Sequence, residues 1–208
     1  MSSMRLAAVL ALLTAISVSA VDKKKPQQAY LYRPDQMADL KAEDLATTSQ
    51  QCESWAIATG LESMLLQQKV NLDRHFWLMR LYGGELCVQE TPSPESLARA
   101  VNGEFVLDDG RHVRLQLEFT PGAPSDVDSL IAGLERQSIA LMILRGHAYY
   151  LAGATYDEHI GRDGSRLYEI KELRLANTFA NLPGTAFEKG RDDVGEIGGI
   201  VSVTVLAP

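Results

Sequence analysis

The stretch TTSQQCESWAIATGLESML, residues 47–65, sets a cysteine between a polar cluster and the first long helical pattern of the chain. Trp55, Ala58, Leu61 and Leu65, with Ile57 and Met64 beside them, recur at the period of a helix packed on a core. Thr48 and Gln51 have the capping-box spacing, in which two side chains satisfy the free amides of a first turn, so the helix is expected to begin near Thr48. Cys52 then falls within the first turn or so. The partial positive charge of a helix start stabilises thiolate over thiol, and a neighbouring imidazolium does so more strongly. The alternative is that Cys52 is half of a disulfide with Cys87, the one other cysteine.

The compartment bears on that choice. Arg5 precedes an apolar run from Leu6 to Ile16, and Val18-Ser19-Ala20 offers small residues for cleavage, so residues 1–20 read as a secretory signal peptide. The run is shorter than the roughly 20 residues that cross a bilayer, and a secreted or periplasmic protein without stable membrane insertion is expected. In an oxidising compartment two cysteines pair by default. Loss of the leader takes the formal net charge from −7 to −8, because Arg5 is its only charged residue. An acidic chain whose one basic run, Lys23-Lys24-Lys25, follows the cleavage point is not expected to bind nucleic acid.

With 208 residues, 46% of them hydrophobic, the chain has material for one domain with a substantial core. Residues 21–45, polar and carrying Pro26 and Pro34, read as an extended lead-in, leaving 46–208 as the folded domain. Helices are expected from Leu72 to Leu81, ended by Gly83-Gly84, and from Pro94 under a Ser93 cap to Asn102-Gly103. The apolar period then changes to two. Glu104–Leu107 and Arg111–Phe119 flank Asp109-Gly110, a hairpin signal. A short helix with Leu130, Ile131 and Leu134 follows Ser125 and Asp128. Ile139–Leu144, Ala148–Ala154, Arg166–Leu175 and Ile197–Leu206 read as strands. Helices first and an antiparallel sheet after them make an α+β fold, with the cysteine on the helical half.

A thiol at a helix start needs a histidine to move the proton and a polar group to orient that histidine. His75 sits in the second helix, His112 beside the hairpin turn, and His159 in a loop flanked by Asp157 and Glu158; all three read as surface or capping residues. His147 differs, opening a strand directly after Gly146 in RGHAYYLAGATYD. CESWAIA, then GHAYYLAGA, then LANTF resemble the papain-like cysteine peptidases, particularly compact bacterial branches such as the staphopains and the double-glycine-leader peptidases. The resemblance spans residues 46–180 through short motifs. It implies a papain-like thiol hydrolase that cleaves peptide or amide bonds, acts on a peptide or protein substrate as a monomer and uses no cofactor or metal.

Carried over, the resemblance makes Cys52 the nucleophile, His147 its ion-pair partner and acid, and Asn177 the group that holds the ring. The oxyanion would meet the Cys52 amide and a glutamine side chain. Papain relatives carry that glutamine upstream of the cysteine, at a position matched here by Ala46, which leaves Gln50 or Gln51 to substitute. A second alignment stays open. In papain the nucleophile directly precedes a Trp-Ala pair, which would put Ser54 in its place and make Cys52 and Cys87 a disulfide in a catalytically inactive binding domain. No zinc-binding H-E-x-x-H helix, phosphate loop or G-x-S-x-G elbow is present.

Overall fold

The computed structural model describes residues 31–41 and 45–206, so the expected signal peptide lies outside the described residues. In chain order the elements are β1 (Leu31–Asp39), α1 (Glu53–Gln67), α2 (Arg74–Tyr82), α3 (Pro94–Val101), β2 (Gly103–Val106) and β3 (His112–Pro121). Then follow α4 (Val127–Glu135), β4 (Leu141–Leu144), β5 (His147–Ile160), β6 (Arg166–Asn177), β7 (Thr185–Glu188) and β8 (Ile197–Leu206). The strands form one eight-stranded sheet of order β2-β3-β8-β4-β5-β6-β7, with β1 paired to β5. Every strand pairing is antiparallel, so the chain is an α+β protein.

Both faces of the sheet are covered, and β4 records this most directly. Its four residues, Leu141 to Leu144, are all buried. Leu141 and Ile143 join the core under α1 and α2 with Leu61, Leu65 and Trp77, whereas Met142 and Leu144 join a second core under α4 with Ile131 and Leu134. A strand covered on both sides reads as an unbroken apolar run, which is why Ile139–Leu144 carries no alternation. On the α1 side the approach is close at Gly60, where an added Cβ would stand 2.3 Å from the Leu141 side chain. Tyr150 of β5, fully buried, donates its hydroxyl proton to the Ala46 carbonyl at 2.8 Å and meets Ser63 Oγ at 2.7 Å. That phenol therefore ties the segment before α1, α1 itself and the central strand together.

Two sequence expectations shift. The first helix begins at Glu53, not near Thr48. Thr48 instead makes a bridge with Phe179, and its hydroxyl accepts from the Gln50 amide, so the capping-box pair is occupied by a turn and a sheet contact. The segment 21–45 contains a strand, since Leu31–Asp39 pairs with β5 from Ile160 back to Gly153. Its residues are mostly exposed, so it carries little of the apolar alternation that marks a half-buried strand. Polar partners fasten it instead. Asp157 of β5, 7% exposed, accepts from the Tyr32 hydroxyl at 2.6 Å and the Asp35 amide at 3.0 Å, and pairs with Lys171 at 2.7 Å.

Lys171, and after it the Tyr32 hydroxyl, holds the Asp157 carboxyl down at about 2. A carboxyl depressed in the folded state from its usual value of about 4 stabilises fully above that value and loses its contribution as pH falls through the folded one. Hydrogen-exchange protection of β1 is therefore expected to weaken selectively between about pH 4 and pH 2, against the β3–β8 pair as reference. An Asp157→Asn variant should show weakened β1 protection already at pH 6 and little further change. Equal loss across both regions would remove the clasp from the account of acid sensitivity.

Candidate functional site

The site grows from the first residues of α1. Cys52 is the N-cap, in extended conformation at φ −147° and ψ 150°, and its carbonyl accepts the Ala56 amide at 3.1 Å. Its side chain makes no capping bond because the sulfur is joined to Cys87 in a disulfide, with Cα atoms 5.6 Å apart. Cys52 is fully buried, while Cys87 lies on the exposed side of the bond. The expectation of a free Cys52 thiolate is thereby corrected: the sulfur placed at the electropositive helix end is spent in a covalent bond. The alternative pairing of Cys52 with Cys87 is the one present.

Ser54 is committed as well. Its Oγ donates to the Leu86 carbonyl at 2.6 Å and accepts from the Val88 amide at 3.0 Å, and its own amide donates to the Val88 carbonyl. These bonds and the disulfide lace residues 86–88 to the start of α1. A hydroxyl so engaged and fully buried has no proton to offer a histidine.

His147 opens β5, as its sequence context implies. Arg145 and Gly146 both take positive φ, 53° and 79°, to make the tight turn from β4. The imidazole meets neither the sulfur nor Asn177. Its Nδ1 stands 2.6 Å from Oε1 of Glu53, the first residue of α1, and the other carboxylate oxygen accepts the Ala148 amide at 3.0 Å. Glu53 is only 1% exposed, whereas the His147 side chain is 56% exposed. A carboxylate at this position gains from the free amides and dipole of the helix end. Two phenols feel its charge: burial, and then the Glu53 carboxylate, push Tyr82 and Tyr149 above the ordinary tyrosine range.

Asn177 ends β6 opposite Tyr149, yet its side chain is turned into the following loop. Its Nδ2 donates to the Pro183 carbonyl at 3.3 Å and its Oδ1 accepts the Phe179 amide at 3.0 Å. With Thr47, Arg174, Phe179 and Leu182 it lines an open concavity of about 380 Å³. The Cys52–His147–Asn177 set thus shares a neighbourhood by secondary structure but is not joined by hydrogen bonds among the described residues. Gln50 and Gln51, the oxyanion candidates, are both exposed, and the Gln51 contact is made by its carbonyl, to the Gln89 amide at 3.4 Å. His75 pairs with Glu85 at an exposed site beside the edge of Trp55, and His159 packs on Tyr32.

Glu53 is the residue that sequence reasoning missed. Placing the helix start at Thr48 put Glu53 in mid-turn, where an acidic side chain carries no special signal. With Cys52 as the cap, an acid at the first helical position, directly after the cysteine, is the feature that marks it. No protein-family model matches this chain, and no curated protein matches it.

Proposed function

We propose that the chain is an exported, thiol-inactive binding domain on a papain-like α+β scaffold, with a peptide or protein as its ligand. The observation that carries this reading is the Cys52–Cys87 bond. Placement supports the scaffold: a cysteine caps the helix that crosses the sheet, a histidine opens the central strand and an asparagine closes the next one. Thiol hydrolysis through Cys52, His147 and Asn177 would need the disulfide opened, the ring released from Glu53 and Asn177 freed from the 179–183 loop. The concavity beside Asn177, apolar along Phe179 and Leu182 and charged at Arg174, suits one side chain and the backbone of an extended peptide.

The test is a thiol titration without reductant. The secreted protein, native and then denatured, is expected to give no reaction with iodoacetamide, and a fluorogenic peptide-amide library should not be cleaved before or after the treatment. Two thiols titrating in the native protein, or amide cleavage that iodoacetamide abolishes, would overturn the reading.

A further inference from the structure

We propose that Glu53 and His147 form a general-base pair that hydrolyses carboxylic esters with good leaving groups, independently of any thiol. The inference rests neither on the state of the Cys52 sulfur nor on the nature of the binding-domain ligand, so it can fail or stand apart from that reading. Three observations combine. The Glu53 carboxylate is buried and held from both oxygens, by the His147 ring at 2.6 Å and the Ala148 amide at 3.0 Å, so it cannot rotate away without leaving a charge unpaired. With the carboxylate as acceptor at Nδ1, the neutral ring carries its proton on that nitrogen and its lone pair on Nε2. More than half of the His147 side chain is exposed, so the pair is closed on the protein side and open on the solvent side. Glu158 with Arg166 and Asp157 with Lys171 are likewise buried acids under exposed cations, but an imidazole, unlike a guanidinium or an ammonium, has a second nitrogen that can take a proton.

In the proposed step Nε2 takes a proton from water as the water oxygen forms its bond to the acyl carbon. Glu53 stays ionised and stabilises the imidazolium. As the acyl–oxygen bond breaks, the proton on Nε2 passes to the departing alkoxide or phenoxide, and acid and alcohol are released with the pair restored. No thiol, metal or oxidant enters the balance. An ester of a good leaving group has a more electrophilic carbonyl than an amide and expels a weakly basic oxygen, so a general base acting on water suffices for it, which sets the substrate class.

The experiment uses the oxidised, full-length secreted protein with p-nitrophenyl acetate. Hydrolysis is expected above the buffer rate, slower in heavy water and unaffected by prior iodoacetamide. His147→Gln keeps an amide N–H for Glu53 but cannot carry the proton, and should lose activity at least about tenfold, the lower part of what a positioned base contributes. It also supplies the background from His75, His112 and His159. Glu53→Gln, a change in the positioning residue, should lower kcat with KM unchanged. A His147→Gln variant that is folded by circular dichroism and as active as wild type, or a rate unchanged in heavy water, overturns the proposal. Free thiols in the native protein would instead overturn the binding-domain reading and leave this result standing.

Discussion

Removing the disulfide in a Cys52→Ala/Cys87→Ala double variant is expected to lower the unfolding free energy by about 3–4 kcal/mol, read from urea titration monitored by tryptophan fluorescence. The cross-link joins residues 35 apart in sequence, and a loop of that length restricts the unfolded chain substantially. A second contribution comes from the folded side, since Cys52 is completely buried against the start of α1 and its truncation leaves a void. The Ser54 bonds to Leu86 and Val88 remain, so the segment stays near α1 in the native state and the loss falls chiefly on the denatured ensemble. A change under about 1 kcal/mol would mean that the polar lacing alone fixes this corner.

The second large effect is an asymmetry between Glu53 and His147. His147→Ala is expected to cost about 2 kcal/mol, because it removes the side-chain donor from the buried Glu53 carboxylate and leaves it the Ala148 amide and the helix end. Glu53→Gln should cost only about 1 kcal/mol, since it removes the buried charge itself and leaves a histidine that reaches solvent. Equilibrium urea unfolding of both variants at pH 7 decides it. Equal losses, or a larger one in Glu53→Gln, would show that the carboxylate is not dependent on the ring and would weaken the case for a held base.

The parts of the fold legible beforehand were those where local chemistry and packing agree. Ser93 before Pro94 caps α3, accepting from the Ser96 amide, and Asp109-Gly110 turns the β2–β3 hairpin with Gly110 at φ 81°. Gly83 closes α2 in the left-handed conformation that glycine favours. The parts that escaped are held by partners distant in sequence. β1 is fastened by Asp157 and Lys171, and β7 is a four-residue edge strand whose only buried side chain is Phe187. For the site, the positions of Cys52 and His147 on their elements were readable, but the bonding was not. One cysteine spacing fits a free thiol or a staple equally, and only the fold brings Cys87 within bonding distance of Cys52.

The pairing of Leu31 with Ile160 sets an order of events during biosynthesis. β1 leaves the ribosome with its Leu31 end unpartnered until the far end of β5 has been made. At about 5–20 residues per second, that delay is on the order of ten seconds. For all that time an unpaired ribbon bearing Tyr32 and Met37 trails from the exit tunnel, ready to associate with whatever strand it meets first.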